Sequence, residues 1–170
     1  MVYSPVLKTL LAILSIGLVV LAFVSMLVYF HTGSVYAIAY KQDLNCFHDK
    51  CTAVIAITLS NKEHIQYYIR GIELVLVYTK GNVTDIRLGL LPGTNSTCYA
   101  PPGFNVVIDN CEGIYCLCNN TIPLNPMTTE KFYVYIPFNT TNYLRSAVAR
   151  IYLQGPVQNK TVNTNGVTFT

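Results

Sequence analysis

The run Leu10–Phe30 contains no charged residue. At about 1.5 Å rise per residue, a helix over this stretch spans roughly 30 Å, the thickness of a bilayer's hydrocarbon core. Its start is marked by Ser4, a good N-cap, and by Pro5 at the first helical position, where the missing N–H costs nothing. Its end is marked by Gly33, a suitable C-cap, just after the aromatic pair Tyr29 and Phe30. A segment apolar on every side cannot lie half-wet on a domain surface. Lipid or other protein must cover all of it. Small residues (Ala12, Ser15, Gly17, Ala22, Ser25) are spread around it and allow close approach of neighbouring helices. The missing basic flank, the length and the lack of a small-x-small site argue against a cleaved secretory signal. A membrane anchor and a helix packed among copies of itself are the two readings that remain.

From Ser34 onward the pattern becomes strand-like. The stretches 35–40, 51–60, 65–79, 84–90, 104–109 and 131–138 are rich in Val, Ile, Tyr and Thr. The stretch 143–154 reads as a strand by alternation, although Leu144, Ala147, Val148 and Ile151 also fit one helix face. Asn165-Gly166 predicts a type I′ hairpin near the end of the chain. Gly71, Gly81 and Gly89 read as bulges and turns. Together these signals predict an α+β chain: a long N-terminal apolar helix over 1–33, then an immunoglobulin-like antiparallel β-sandwich over 34–170. No flexible linker separates the two, so they are expected to be rigidly joined. "AVIAI" and "ELVLVY" are apolar in both phases. They suit a sandwich centre, or a surface covered by a neighbouring copy.

The chain is 11% charged, with a net charge of +3 and no basic stripe. This excludes nucleic acid as an expected partner. All six cysteines lie beyond the apolar run, which fits an oxidising compartment. Six cysteines (Cys46, Cys51, Cys98, Cys111, Cys116, Cys118) allow fifteen pairings. Cys46–Cys51, closing a small loop, is the best single expectation. Cys111, Cys116, Cys118 and His48 could instead hold zinc, but the spacing lacks paired C-x2-C, and disulfides are favoured. Asn-x-Ser/Thr occurs at Asn82, Asn95, Asn119, Asn139 and Asn159, all beyond the helix, and N-glycosylation at most of them is expected. No nucleophile–base pair, metal motif or phosphate loop stands out around His31, His48 or His64. The acidic residues are scattered, so neither an enzyme nor a bound cofactor is expected.

The N-terminal stretch "YSPVLKTLLAILSIGLVVLAFVSMLVYF" resembles the start of a mature archaeal type IV pilin. Such pilins carry Ser-Pro-Val and then Thr-Leu-Leu before a long aliphatic helix. Here Ser4-Pro5-Val6 and Thr9-Leu10-Leu11 stand in those places, and Lys8 is a charge where such pilins mostly have none. The resemblance covers about the first thirty residues. It implies processing by a prepilin peptidase, storage in the cell membrane, and extraction by pilus assembly machinery into an extracellular filament. Ser4 and Pro5 would start the core helix, and Thr9, Leu10, Leu14, Gly17, Leu18, Leu21 and Val28 would carry it against other copies. The expected function is therefore a structural, adhesive filament subunit. The alternative is a single-pass anchored ectodomain that never polymerises, such as an archaellum stator-like subunit or a viral envelope glycoprotein.

Overall fold

The computed structural model describes residues 5–31, 33–92, 97–109, 111–119 and 122–169, with first-helix side chains described for residues 9–27. Ser4 and Asn95 lie outside the described residues. Helix α1 (Pro5–His31) covers the expected apolar segment. The chain then enters β1 (Val35–Phe47) after only a few residues.

Among the described residues eleven further strands follow, all in antiparallel pairings. β2 (Lys50–Asn61), β6 (Asn105–Ile108), β7 (Cys111–Glu112) and β9 (Thr129–Asn139) join β1 in one sheet, in the order β1-β2-β9-β6-β7. The second sheet contains β3 (Tyr67–Tyr78), β4 (Val83–Leu90), β5 (Cys98–Tyr99), β10 (Leu144–Gln154) and β11 (Lys160–Asn163), in the order β11-β10-β3-β4-β5. Two short strands complete it: β8 (Ile122–Leu124) pairs β3, and β12 (Val167–Thr168) pairs β10. A short helix, α2 (Tyr115–Asn119), lies between β7 and β8.

Alternation decides the inner faces. Phe132, Val134, Ile136 and Phe138 of β9 are buried while Lys131, Tyr133 and Tyr135 point the other way. Ala147, Ala149, Ile151 and Leu153 of β10 are buried in the same period of two, so the stretch that also fitted a helix face is a strand. A bulge near Arg145 brings Leu144 into the core as well. Residues of both sheets share one buried cluster that includes Ile55, Ile57, Leu59, Ile72, Leu74 and Leu76.

The expected hairpin at Asn165-Gly166 does not form. β11 and β12 do not pair with each other. Both run along β10, at Arg150–Leu153 and Ser146–Ala147 respectively. Long-range bonding outweighs the local turn preference here. The Asn165 side-chain amide donates to the Ala39 carbonyl (2.8 Å), and its Oδ1 accepts from the Ala39 N–H (2.8 Å). The side chain thus ties the last strands of the second sheet to β1 of the first.

The glycine expectations hold more closely. Gly71 sits at a register irregularity on β3, where Tyr152 faces Gly71 and Leu153 faces Ile69. Gly81 (φ 79°) makes the β3–β4 turn.

Candidate assembly helix and the surfaces around it

Among the described residues, the Thr9–Leu27 span of α1 is left exposed. The span Thr9–Leu27 has mean hydropathy 2.8, and none of it is buried. Large side chains along it, from Leu10 to Leu27, are 40–69% exposed. Its two serines are satisfied internally: Ser15 donates to the Ala12 carbonyl (2.8 Å) and Ser25 to that of Leu21 (2.7 Å). The helix therefore presents almost pure hydrocarbon. At 100° per residue, Leu10, Leu14, Gly17, Leu18 and Leu21 fall on one face, whereas Thr9 falls about 120° from its centre. Pro5 and Val28 belong to the same helix by backbone. A Cβ built on Gly17 meets nothing within 4 Å, so no contact in this chain requires glycine there.

The described segment that follows α1 begins with a close contact. Gly33 has φ 124°, and a Cβ there would lie 2.2 Å from the Lys62 carbonyl oxygen, so only glycine fits. The Lys62 N–H donates to the Ser34 carbonyl (3.0 Å). Behind this contact lies a buried polar knot. Asn61 is fully buried, and its amide donates to the carbonyls of Ile65 (2.7 Å) and Asn125 (3.1 Å). Glu63 is 1% exposed, accepts from the Tyr67 hydroxyl (2.7 Å) and forms an ion pair with Lys160. Burial, and then the Glu63 carboxylate, push the Tyr67 phenol well above its ordinary value of 10.0.

The outer face of the second sheet carries Glu73 between two directly facing partners on neighbouring strands, Arg87 (3.7 Å) and Arg150 (3.2 Å). Tyr152 donates to the same carboxylate at 3.0 Å. The outer face of the first sheet is a field of tyrosines. Ala56, fully buried, sits in register between Tyr40 and Tyr133. The Lys131 ammonium lies over both rings, 5.1 and 5.3 Å from their centroids.

All six cysteines are paired, as Cys46–Cys51, Cys98–Cys118 and Cys111–Cys116. The first is the pairing expected from the sequence. The cysteines weighed for zinc are divided between two bridges, and no group of metal-ligating side chains gathers among the described residues. The described sequon asparagines Asn82, Asn119, Asn139 and Asn159 are all exposed, at strand ends, a turn and the end of α2. The structure does not bring them together.

Sequence reasoning missed the Glu63–Lys160 pair, the Asn165 tie and the tyrosine face. Only the last had a legible signal. Tyr36, Ile38 and Tyr40 share one phase of β1, and Tyr133 and Tyr135 one phase of β9.

A scan against protein-family models and a search of curated proteins found no match. Among solved structures, a structural-genomics target is similar with a TM-score of 0.47 at 9% identity, over 78% of this chain and 82% of that one. A Bordetella pertussis protein described as "Putative ApaA Protein" is similar with a TM-score of 0.44 at 9% identity, over 78% of this chain and 88% of that one. Likeness at this level extends to neither a fold family nor an activity.

Proposed function

We propose that this chain is a structural subunit of an extracellular type IV pilus-like filament. It polymerises with copies of itself through α1 and serves attachment. In this reading the two sheets form an immunoglobulin-like sandwich that makes the outer wall, with N-glycans on its exposed sequons. The monomer waits in the cell membrane before assembly. A prepilin peptidase and an assembly motor are implied by the resemblance of the N-terminal stretch to archaeal pilins.

The observation that carries this reading is the combination of an uncovered helix with an internally unexplained glycine. Covering α1 removes on the order of 1,500 Å² of apolar surface, worth tens of kcal/mol at about 25 cal/mol/Å² before entropy. Lipid and sister helices supply that equally well. Gly17 tips the balance. It costs about 1 kcal/mol relative to alanine in a helix. Lipid gives no reason for it, whereas close helix–helix approach does. Three disulfides fit the oxidising exterior.

The second reading, a single-pass anchored ectodomain, rests on the same helix length. Negative-stain microscopy of shed material, with mass spectrometry of the mature N-terminus, separates the two. Thin filaments containing this chain are expected. Gly17→Phe should cut filament yield at least ten-fold while leaving the head's thermal transition unchanged. Protein found only as detergent-soluble single particles, with G17F indistinguishable from wild type, refutes the proposal.

A further inference from the structure

On the outer face of the first sheet lies an open cleft of 390 Å³, lined by Gln42, Asp43, Asn45, Thr52, Val54, Tyr133 and Tyr135. It exists because of a bulge. Along β1, Ala37 and Ala39 point inward and Tyr36, Ile38 and Tyr40 outward. Strict alternation would then send Asp43 and Asn45 inward. The register instead slips between Lys41, opposite Ile55, and Asp43, opposite Val54. The extra residue, Gln42, turns Leu44 toward the core, where it packs, and turns Asp43 and Asn45 outward. Bulges of this kind re-aim side chains at functional sites.

The re-aimed groups meet aromatic rings. Val54 lies opposite Asp43 on one side and Tyr135 on the other. Thr52 lies opposite Asn45, and Tyr133 is one pleat away from Tyr135. Asp43 is held in place. Its Oδ1 accepts from the Leu44 N–H (2.8 Å), and its Oδ2 accepts from the Asn45 amide (2.6 Å). A carboxylate has about four acceptor positions, so free lone pairs remain. The Gln42 and Asn45 amides and the Thr52 hydroxyl line the same cleft. The Cys46–Cys51 bridge pins the hairpin immediately beyond Asn45 and Thr52, so the cleft is pre-organised.

We propose that this cleft, built where the Gln42 bulge aims Asp43 and Asn45 across Val54 toward Tyr133 and Tyr135, binds neutral carbohydrate. A sugar ring has an apolar C–H face, which stacks on tyrosine, and an equatorial rim of hydroxyls. Each hydroxyl both donates and accepts, and so pairs with a carboxylate beside an amide. Asp43 is the one charged residue in the lining, and the Lys131 ammonium over the Tyr133 ring offsets it in part, so stacking and hydroxyl pairing rather than net charge set the preference for a neutral sugar. The cleft volume falls within the ordinary small-ligand range of about 300–1,000 Å³. Asp43 is eight residues along β1 from Val35, or about 27 Å at strand rise. With α1 in a filament core, a cleft on the head rather than on the helix gives the attachment function a chemical target. That last step rests on the filament reading, but the cleft itself does not.

The test uses the full chain held in a phosphocholine detergent, which brings no sugar of its own. Its outcome is therefore independent of whether filaments form. Cellotriose, mannotriose and chitotriose are titrated to about 10 mM by calorimetry, with a heparin-derived hexasaccharide as the anionic comparison. At least one neutral trisaccharide is expected to bind. Asp43→Ala and Tyr135→Ala should each weaken it about ten-fold or more. Tyr135→Phe, which keeps the stacking face, should stay within about three-fold, and Phe47→Ala, outside the cleft, should change nothing. Circular dichroism checks that each variant keeps its strands. The proposal is overturned if no neutral trisaccharide binds, if D43A and Y135A both leave binding intact, or if the sulfated sugar binds best.

Discussion

Removing the cation from the buried knot behind the α1 junction is the sharpest perturbation of this fold. Lys160→Met keeps most of the aliphatic stem, which lies by the Tyr67 ring, and deletes only the ammonium, 5.4 Å from that ring's centroid. It leaves the Glu63 carboxylate, 1% exposed, with the Tyr67 hydroxyl as its remaining side-chain partner. An uncompensated buried charge costs about 3–5 kcal/mol. The Lys160 side chain is 25% exposed, so water can enter where the ammonium was, and the lower end, about 3 kcal/mol, is expected. For a chain of this length that corresponds to a fall in Tm of about 6–12 °C.

The assay is denaturant unfolding of the full chain in detergent, followed by tyrosine fluorescence, since there is no tryptophan. Glu63→Gln should cost about 1–2 kcal/mol, because it leaves a half-solvated lysine and keeps an acceptor for Tyr67. The double variant should cost about as much as Glu63→Gln alone, giving a coupling of about 3 kcal/mol. A K160M variant within about 0.5 kcal/mol of wild type, or a double variant as unstable as K160M, refutes the reasoning. The consequence reaches the segment that follows α1. Glu63 adjoins Lys62, whose backbone packs on Gly33. Amide exchange at Ser34–Tyr36 should therefore quicken in K160M more than exchange in β10.

Alkali should unfold the protein earlier than its acidic groups would suggest. Burial raises the phenols of Tyr67, Tyr78 and Tyr152. The fold therefore holds their protons while the unfolded chain loses them near pH 10. This stability is complete below pH 10 and drains as pH rises above it. Tyrosinate absorbance should lag for these residues until the strands melt, and Tyr67→Phe should flatten the decline. Simultaneous titration of every tyrosine in the folded protein counts against this. Two glycines with similar backbones should also behave differently. Gly89→Ala (φ 81°) places a Cβ 2.6 Å from Leu117 Cβ and 2.7 Å from the Arg70 carbonyl, and should cost about 3 kcal/mol or more. Gly81→Ala (φ 79°) faces open space and should cost about 1 kcal/mol in the same thermal melt.

What the sequence disclosed was whatever is decided locally. α1 was legible because hydrocarbon on every side admits one kind of structure. β2 was legible from its run of β-branched residues and β9 from its aromatic and β-branched alternation, since neither needs a partner to be seen. Cys46–Cys51 was legible because a short hairpin brings its two cysteines into register, whereas Cys98–Cys118 joins segments that only the tertiary fold makes neighbours. Asn165-Gly166 was misread because its preferred turn is worth less than two hydrogen bonds to Ala39, which is 126 residues away. Glu63 and Lys160, 97 residues apart, carried no mark of each other. The sugar cleft hid behind a change of phase. Ala37, Ala39 and Leu44 cannot all face the core on a regular strand, so a bulge lay between them, but its position depended on β2.

The charge-poor surface becomes intelligible once the tyrosines are placed. A sheet whose second strand reads "AVIAI" would expose Val54 and Ala56 on its outer face, yet both are buried. In register beside them stand Tyr40, Tyr133 and Tyr135, which cover aliphatic surface with their rings and offer hydroxyls to water. Much of the charge is already engaged: Glu63 with Lys160, Glu73 with Arg87 and Arg150, Lys131 over two rings. A surface made polar by phenols rather than by ions changes little with salt, because there is little Coulomb energy to screen. It also repels its copies weakly, so heads can crowd around a common axis without an electrostatic penalty. The phenol-rich exterior and the uncovered helix therefore favour the same arrangement, with like subunits packed side by side.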